Sequence, residues 1–318
     1  MFGFIVASSA RLASSVRFLS GPAASAPAIA PSTRRLLVGG ALLAGSGLGY
    51  LFTSAVDADS TPGPALSPAE WRAFELRERR ALTHDTSFYR FALPQEDQEL
   101  GLGVASCLMV RGQDGTENPA AKPYTPVSAE HQKGFVDLIV KTYPGGKVSG
   151  QFDALTPGSR VEMKGPFKKI DIQANQYERI TFVVGGTGIT PAYQILKKLL
   201  ADPSDKTKIK LIYANKTEAD VILAQELVAL QKEFPHRLDI HFVITRPVLP
   251  NLTREYITKE LLQKELPPAT LASQKVFVCG TLPFYAAISG TKAPDFSQGE
   301  LTGYLQELGY SSEQVFKL

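Results

Sequence analysis

The sequence is poor in the residues that build metal centres and side-chain nucleophiles. Its 318 residues include four histidines and two cysteines, which are scattered without the spacing of a metal site. An iron–sulfur cluster needs about four cysteine ligands, so the sequence excludes one. It also has no Ser/His/Asp or Cys/His arrangement typical of nucleophilic catalysis. Chemistry in this chain therefore depends on a bound cofactor.

Acidic residues are absent from the first 56 positions, which hold four of the chain's arginines and no lysine. These are Arg11, Arg17, Arg34 and Arg35. Removing them from the 34 basic residues leaves 30 against 31 acidic ones, so the rest of the chain is nearly neutral. The rest of the chain therefore lacks the excess of positive charge that is typical of proteins binding nucleic acids. A Ser/Ala-rich, acid-free leader is typical of mitochondrial targeting, which we predict for residues 1–35, with a disordered tail as the alternative.

Charge is also missing from residues 36–56, a run of 21 residues. A membrane-spanning helix needs about 20. Five glycines lower its helix propensity, but glycine is common in membrane helices, and Gly45 and Gly49 allow close packing. The run predicts an N-terminal transmembrane helix; a secretory signal peptide and a cleaved sorting segment are the alternatives. Residues 57–69, rich in proline, serine and aspartate, are predicted to be a linker.

Two patterns of predicted elements divide the remainder. Residues 70–173 contain short strands between turn residues, which predicts an antiparallel β-barrel. Residues 174–318 alternate strands with helices, which predicts an α/β domain with a doubly wound parallel sheet. The barrel strands are predicted at 74–79, 87–93, 106–110, 134–141 and 160–164. The α/β domain is predicted to have strands 180–184, 208–214, 238–245 and 275–279, and helices 191–200 and 218–234.

A glycine-rich turn follows the strand 180–184 and precedes a predicted helix. Gly186 and Gly188 allow a close backbone approach to a phosphate or sugar, and the helix N-terminus offers free N–H groups. Such a turn is weak evidence alone, but the strand–turn–helix context indicates a nucleotide site. Pro191 stands where a dinucleotide fingerprint has its third glycine, so the phosphate geometry need not be that of a dehydrogenase.

Two further residues follow strands of the same domain. Asp220 follows the second strand, where a carboxylate can bond an adenosine ribose and repel a 2′-phosphate, favouring NADH over NADPH. An acid in the first turn of a helix is the equally weighted alternative. Cys279 ends the strand 275–279, beside the expected nicotinamide, although a free cysteine is often only a small buried hydrophobe. Cys107 lies in the other domain, so we expect two free thiols.

A polar, proline-stiffened segment in the first domain has the groups that a flavin needs. Lys122 can neutralise a pyrophosphate, Tyr124 offers a ring, and Thr125 offers a hydroxyl to a flavin ring nitrogen. Gly145-Gly146, ahead of residues 147–149, is predicted to open a helix onto the same phosphates. A proline-rich loop and a hairpin turn are the alternatives. Together with the nucleotide turn, the order of these segments predicts a flavoprotein that is reduced by a pyridine nucleotide.

These residues resemble the NADH-cytochrome b5 reductase family, in the ferredoxin-reductase-like flavoprotein superfamily, from about residue 71 to residue 318. The family's flavin motif, Arg-x-Tyr-Thr-Pro-Val-Ser, stands here as Lys122-Pro-Tyr-Thr-Pro-Val-Ser128. Segments 217–223, 299–303 and 308–317 match the family as well. The resemblance implies FAD and NADH contacts from Lys122, Pro123, Tyr124, Thr125, Val127, Ser128, Gly145, Gly146, Lys147, Val148, Ser149, Gly186, Thr187, Gly188, Thr190, Pro191, Asp220, Cys279 and Gly280.

The resemblance also implies an activity and a location. NADH would pass a hydride to FAD, and single electrons would then pass to cytochrome b5 or a similar haem protein. Thr125 and Cys279 would be the catalytic residues. The likeness is greatest to the fungal mitochondrial form, which implies a membrane-anchored mitochondrial protein. The outer membrane is favoured, with a processed soluble form in the intermembrane space as the alternative.

The sequence departs from the family pattern at three places. Lys122 replaces the motif arginine, Thr281-Leu282 replaces two prolines after Cys279-Gly280, and the last residue is Leu318 where the family usually has phenylalanine. The first change is expected to weaken FAD binding, and the second to disturb nicotinamide positioning. These departures leave two other functions open: a reductase-like membrane scaffold or assembly factor with impaired NADH turnover, and an NAD(P)H flavoenzyme with a quinone acceptor.

Overall fold

The computed structural model describes residues 62–113 and 115–318. The predicted leader, the predicted transmembrane helix and residues 57–61 of the predicted linker lie outside the described residues. Within that described part, no helix combines the length and the apolar character needed to cross a membrane.

Six antiparallel strands form the sheet of the first domain. Its strand order is β4-β3-β6-β1-β2-β5, so β4 and β5 are the edge strands. The strands are β1 (Arg72–Ala81), β2 (Thr86–Ala92), β3 (Ser106–Arg111), β4 (Ala121–Tyr124), β5 (Phe135–Lys141) and β6 (Arg160–Lys168), and one short helix, α1 (Gln151–Ala154), precedes β6. The prediction that this domain is antiparallel is confirmed, whereas closure of the sheet into a barrel stays a prediction, because β4 and β5 are not paired with each other.

The core of this domain lies on one face of the sheet. Alternate residues of β1 and β2 point inward, so that Leu76, Tyr89 and Phe91 are fully buried. Phe152 of α1 packs edge-on against Tyr89, with ring centroids 5.0 Å apart, and the Tyr89 hydroxyl donates to the Phe152 carbonyl. Burying each such side chain contributes about 2 kcal/mol, which holds α1 and the preceding turn against the sheet.

The linker prediction is wrong for residues 62–69. Ala65 and Leu66 are buried in the core of the first domain, and their N–H groups donate to the carbonyls of Glu99 and Leu100. Gln98 also donates from its side chain to the Gly63 carbonyl. Proline-rich composition predicted a free tether, but paired backbone groups and two buried apolar side chains make this stretch part of the domain.

The second domain is a five-stranded parallel sheet with helices on both faces. Its strand order is β11-β10-β7-β8-β9, as predicted for a doubly wound sheet. The strands are β7 (Arg179–Gly185), β8 (Lys208–Asn215), β9 (Leu238–Ile244), β10 (Gln274–Cys279) and β11 (Val315–Lys317). The helices are α2 (Ile189–Ala201), α3 (Ala224–Glu233), α4 (Lys259–Glu265), α5 (Leu282–Ile288) and α6 (Gly303–Glu307). The central strand β7 is buried at five consecutive positions, as expected for a sheet covered on both faces.

The predicted helix 218–234 is two elements. A 3₁₀ turn over Glu218–Asp220 is closed by a capping box between Thr217 and Asp220. Leu223 then adopts a left-handed conformation with φ of 58°, and α3 begins at the next residue. The apolar residues Val221 and Ile222 before the break and Ala224 and Leu227 after it are all buried, so the apolar pattern alone did not reveal the break.

The two domains share one apolar interface. Ala105 and Ile139 of the first domain belong to the same buried cluster as Phe182 and Ile189 of the second. This cluster continues along α2, whose buried residues recur at helical spacing from Ile189 to Leu200. The interface fixes the edge strand β5 beside the start of α2, and a cleft opens next to it.

Candidate active site between the two domains

The cleft lies at the topological switch point of the parallel sheet. β7 lies between β8 and β10 in the sheet. After β7 and after β10 the chain continues on opposite faces of the sheet, so a crevice forms outside the carboxyl ends of these two strands. Its volume is about 850 Å³, and both domains line it. It brings together these predicted residues: Lys122, Pro123, Tyr124, Thr125, Gly146, Lys147, Val148, Ser149, Gly186, Thr187, Gly188, Thr190, Pro191, Asp220, Cys279 and Gly280.

The nucleotide turn brings α2 into close contact with the end of β10. Gly186 has a positive φ of 54°. A Cβ atom at Gly188 would lie 2.4 Å from the carbonyl oxygen of Cys279, so no other residue fits there without moving β10. The Thr190 hydroxyl donates to the Thr187 carbonyl at 3.2 Å and closes the turn. The N-terminus of α2 therefore faces the cleft directly beside Cys279.

The flavin-side residues lie on the opposite wall. Tyr124 ends β4 and packs against the buried Phe152 ring at a centroid distance of 5.6 Å. Burial raises the pKa of Tyr124, so its hydroxyl keeps its proton and remains a donor. Thr125 follows it at half-buried depth. The side chain of Val148 is buried in the core of the first domain and holds the second flavin-side segment against this wall.

Three predicted contact residues lie outside the cleft lining. The Val127 N–H donates to the Asp137 carbonyl at 2.9 Å, and the Ser128 hydroxyl accepts from the Asp137 N–H at 3.3 Å. These two residues thus hold the segment after Thr125 against β5. Gly145 supplies a positive φ of 74° in the turn before Gly146.

The prediction that Gly145-Gly146 opens a helix is wrong. These glycines lie in a turn, and α1 begins only at Gln151 and has four residues. A Cβ atom at Gly146 would lie 2.2 Å from the Ser149 hydroxyl oxygen, so a larger residue there would displace the Ser149 side chain. The same turn places Lys147 and Ser149 in the cleft. Their position is as predicted, but they lie on a turn and not on a helix.

Asp220 has the capping role, and it also lines the cleft, where the role of binding a ribose stays a prediction. Its Oδ2 accepts from the Thr217 N–H at 2.9 Å and from the Thr217 hydroxyl at 2.8 Å, which makes it a cap. Its Oδ1 is buried and accepts no well-aligned hydrogen bond from the described residues, although His84 Nδ1 lies 3.4 Å away and forms an ion pair with it when the imidazole is protonated. Such an atom costs about 1–3 kcal/mol, which a ligand hydroxyl reaching it would recover. The amide of Asn215, at the end of β8, is similarly unsatisfied within the described chain.

His84 reaches Asp220 from the other domain. Its Nδ1 lies 3.4 Å from Asp220 Oδ1, and its Nε2 lies 3.3 Å from Asp85. These three groups converge closely enough for a cation. Asp85, however, is paired with Lys141 Nζ at 2.6 Å. Burial raises the pKa of Asp85, but bonds from Lys141 and Thr83 outweigh it and bring the pKa below its ordinary value. The group is therefore an interdomain ion-pair network.

Both thiols are free, as predicted, and both line the cleft. Burial raises the pKa of Cys107 and of Cys279, so each is a protonated thiol near neutral pH. The cleft position of Cys107, on β3, was not predicted, because only the pairing of β3 with β4 brings it beside the flavin-side residues.

Other cleft residues were also missed by the sequence reasoning. They are Ala105, Ser106, Ile139, Lys141, Tyr143, Lys169, Gly185, Ala214, Asn215, Lys216, Thr245, Phe284, Tyr285, Lys292 and Phe296. Thr281 and Leu318, which the sequence singled out as departures from the family pattern, also line the cleft. Lys141 and Asn215 carried a usable signal, because Lys141 ends the predicted strand 134–141 and Asn215 directly follows the predicted strand 208–214. Lys292 and Phe296 carried none, since they come from an irregular loop between α5 and α6.

Comparisons with known proteins agree with this geometry. Residues 73–172 match the oxidoreductase FAD-binding domain family, and residues 182–290 match the oxidoreductase NAD-binding domain family. NADH-cytochrome b5 reductase 2 of Aspergillus terreus is 40% identical over 280 residues, covering 86% of this chain and 88% of the relative. The protein of the same name from Pyricularia oryzae is 41% identical over 247 residues, covering 77% of this chain and 75% of the relative.

A solved structure has the same architecture. The cytochrome b5 reductase domain of Ulva prolifera nitrate reductase superimposes with a TM-score of 0.69 at 31% sequence identity. The match covers 81% of this chain and all of that domain. The two-domain fold, the cleft at its junction and the fungal relatives lead to one assignment: this chain belongs to the NADH-cytochrome b5 reductase family of FAD-dependent oxidoreductases.

Proposed function

We propose that this chain is a membrane-anchored mitochondrial NADH-cytochrome b5 reductase. One observation carries the enzymatic part: the flavin-side segment around Thr125 and the nucleotide turn at Gly186–Gly188 line a single cleft although more than 60 residues separate them in the chain. FAD, when bound, supplies the conversion of a two-electron hydride donor into single electrons. The residues of the cleft supply binding, orientation and protection from water.

The residues present fit FAD and NADH. Lys122 and Lys147 provide positive charge for phosphates, and Tyr124 and Thr125 provide a ring and a hydroxyl for the flavin. The unsatisfied Oδ1 of Asp220 suits a ribose hydroxyl, because a neutral donor there restores a hydrogen bond without adding negative charge. The glycine contact between Gly188 and Cys279 lets a nicotinamide ring approach the backbone closely.

The chain's own groups define three tasks. Thr125 orients the flavin with its hydroxyl, and Cys279 forms the wall behind the nicotinamide with a protonated thiol. The apolar side chains of Ile139 and Val148 line the cleft and would exclude water from a bound flavin and nicotinamide. None of these side chains needs to exchange a proton for the hydride to move, so the residues act by position.

An anaerobic titration of the purified chain with NADH, followed by flavin absorbance, tests the enzyme. A yellow protein that bleaches with about one equivalent of NADH is the expected result. A yellow protein that resists NADH would place the defect on the nicotinamide side, around Thr281-Leu282. A colourless, folded protein that takes up no added FAD would overturn the proposal and favour the scaffold.

Two lysines at the cleft support an acidic protein as the electron acceptor. Lys169 and Lys292 line the cleft from different domains, and neither forms an ion pair with an acid in the described part of the chain. Burial, together with the charge of Lys169, lowers the pKa of Lys292. Three other lysines already have partners: Lys141 pairs with Asp85, Lys164 lies over the Trp71 ring and Lys168 pairs with Asp171.

The acceptor proposal is tested with Lys169→Gln, assayed with cytochrome b5 at rising ionic strength. The expected result is an increase of about three- to tenfold in the KM for cytochrome b5 at low salt, which disappears at high salt. Lys164→Gln, which loses an equal charge, is the control. A KM that both variants leave alone, or faster turnover with a quinone than with cytochrome b5, would contradict this acceptor.

The location is tested with residues 1–56 fused to a soluble reporter. Import into mitochondria and retention in the membrane after alkaline extraction are expected, because the stretch combines an acid-free leader with an uncharged run. A control fusion of residues 1–35 should be imported without being retained. A reporter that stays in the cytosol would contradict the location and leave the enzymatic proposal intact.

A further inference from the structure

The turn between β1 and β2 brings one side chain of the first domain onto a cleft residue of the second. Backbone hydrogen bonds from the N–H groups of Leu82 and Thr83 to the Thr86 carbonyl close this turn. His84 lies within it, and its Nδ1 lies 3.4 Å from Oδ1 of Asp220. The side chain of His84 is nevertheless 72% exposed. The backbone of the turn is therefore fixed, while the imidazole can change rotamer at little cost.

The carboxylate on the other side of this contact is held in place. The side chain of Asp220 is 8% exposed, and its Oδ2 accepts from both the N–H and the hydroxyl of Thr217. Its Oδ1 is buried. A ligand hydroxyl can therefore reach Oδ1 only if a neighbouring group moves aside. Between the two partners of this contact, the exposed imidazole of His84 moves more easily than the capped carboxylate.

The strength of the contact depends on the charge of the imidazole. Nε2 of His84 lies 3.3 Å from Oδ2 of Asp85, so the ring bridges two carboxylates from different domains. Asp85 is itself fixed by Lys141 Nζ at 2.6 Å. A neutral imidazole has a single N–H and can donate to only one of the two carboxylates, whereas a protonated imidazole can donate to both. The histidine therefore covers Oδ1 of Asp220 more firmly when it is protonated.

We propose that His84 competes with the adenosine ribose of NADH for Oδ1 of Asp220 and so sets the affinity for NADH. In the free protein the imidazole lies against this oxygen, and a ribose hydroxyl of bound NADH takes its place and donates to Oδ1. The inference rests on the proposed function, because it takes Asp220 to bind that ribose. Since NADH displaces the protonated imidazole from two carboxylates, NADH binding releases a proton and weakens as pH falls.

The first test compares NADH dissociation constants of the wild-type protein and His84→Ala at pH 6, obtained from the NADH dependence of stopped-flow flavin reduction. We expect His84→Ala to bind NADH about two- to fivefold more tightly, a modest gain because an ion pair with an exposed partner contributes little. The limiting rate should stay within about twofold, since a competitor for binding has no effect at saturating NADH. Weaker or unchanged NADH binding by His84→Ala would overturn the proposal.

His131→Ala is the matched control for the loss of an exposed histidine. The side chain of His131 is 79% exposed and pairs with Glu99 at 3.0 Å within the first domain, outside the residues that line the cleft. NADH binding by this variant should equal that of the wild-type protein. A gain in affinity as large as that of His84→Ala would mean that loss of positive charge anywhere on the first domain has this effect, and would overturn the role of His84.

The dependence on pH tests the charge of the imidazole. Between pH 6 and pH 8.5 the NADH dissociation constant of the wild-type protein should fall about two- to fivefold relative to that of His84→Ala, because the competing imidazole loses its proton. Other groups that titrate in both proteins cancel in this ratio. A ratio that stays constant from pH 6 to pH 8.5 would contradict competition by a protonated His84.

A double-mutant cycle with Asp220→Asn tests whether the competition is for this carboxylate. In the Asp220→Asn background, His84→Ala should change the NADH dissociation constant by less than about 1.5-fold, because the charge that attracts the imidazole is gone. Tightening of the same size in both backgrounds would overturn the proposal.

The same variants distinguish this inference from the activity on which it rests. Wild-type protein that binds FAD but is not reduced by NADH would remove the proposed function and the inference together. Normal reduction, with Asp220→Asn binding NADH as tightly as the wild-type protein, would remove the ribose role of Asp220 and the inference but leave the reductase. Weaker binding by Asp220→Asn without tighter binding by His84→Ala would remove only the role of His84.

Discussion

Single residues account for most of what the sequence predicts about the site, because a residue type carries its chemistry wherever the fold places it. Lys122, Tyr124, Thr125 and Cys279 all line the cleft as expected. What a residue type does not determine is its partner. Asp220 offers one oxygen to the cleft and uses the other as a cap only because Thr217 lies three residues earlier with both donors aligned.

At position 122 we predict that Lys122→Arg tightens FAD binding about three- to tenfold. Lys122 is exposed at the mouth of the cleft, where an ammonium acts as a point charge and a guanidinium can bond two phosphate oxygens. The FAD dissociation constant of deflavinated protein, measured by the recovery of flavin fluorescence, checks this. Equal or weaker binding by the arginine variant would mean that the cleft is already adjusted to lysine.

At position 220 we predict that Asp220→Asn raises the KM for NADH about tenfold and reduces discrimination against NADPH. The amide still accepts from the Thr217 N–H, so the cap largely survives, while the negative charge facing the cleft is lost. Asp202→Asn is the control, because Asp202 caps an exposed turn through Ser204 in the same domain. An unchanged ratio of kcat/KM values for NADH and NADPH would leave Asp220 with the capping role alone.

Elements are predicted where their pattern is long and periodic. All five strands of the first domain that were predicted are present, and the strands and first helix of the second domain lie within a few residues of their predicted bounds. The helices α4, α5 and α6 and the strand β11 were not predicted. They have three to seven residues each, too few for a period to be seen, and tertiary contacts hold them in place.

The strand β11 organises the loop that reaches the cleft. Lys317 is 2% exposed, and its ammonium donates to three backbone carbonyls, those of Thr291, Gln298 and Glu300. The same loop carries Lys292 and Phe296 to the cleft. A buried lysine with three carbonyl acceptors thus replaces regular secondary structure as the means of fixing this segment.

We therefore predict that Lys317→Met destabilises the protein by roughly 2–4 kcal/mol, because three carbonyls lose a charged donor. Proteolysis should then cut first within residues 290–300, detected by mass spectrometry of the fragments. Lys206→Met is the control, since Lys206 is exposed and donates to the Pro203 carbonyl in another loop. Protection of the 290–300 loop equal to that in the wild-type protein would contradict the role given to Lys317.

At the scale of the whole molecule, the sequence predicts two domains but not how they meet. The strand order of the parallel sheet implies a crevice at the ends of β7 and β10, yet the wall opposite depends on which side of the antiparallel sheet packs against α2. That choice is made by apolar contacts such as Ile139 with the cluster around Ile189, and by His84 reaching Asp220. Both join residues at least 50 positions apart, for which local patterns hold no information.

A second charged network lies away from the cleft and makes stability depend on pH. His241 on β9 lies between Glu255 at 2.8 Å and Glu265 at 3.4 Å, and Lys210 also pairs with Glu265 and with Asp239. Burial alone lowers the pKa of His241, but the two carboxylates outweigh it and raise the pKa to about 9. The hydrogen bond from His241 is the largest of the effects that lower the pKa of Glu265 to about 2.

The sign of the effect follows from the raised pKa of His241. The folded protein binds the imidazole proton more tightly than the unfolded chain, so this stabilisation is complete below the ordinary histidine pKa and is lost as pH rises through about 9. Between pH 6 and pH 10, we predict that the free energy of unfolding of the wild-type protein falls by roughly 2–3 kcal/mol more than that of His241→Gln. Urea unfolding of both proteins at several pH values measures this difference. Groups that titrate in both proteins contribute equally to the two free energies and therefore cancel. A constant difference between the two proteins from pH 6 to pH 10 would mean that His241 is not held charged by Glu255 and Glu265.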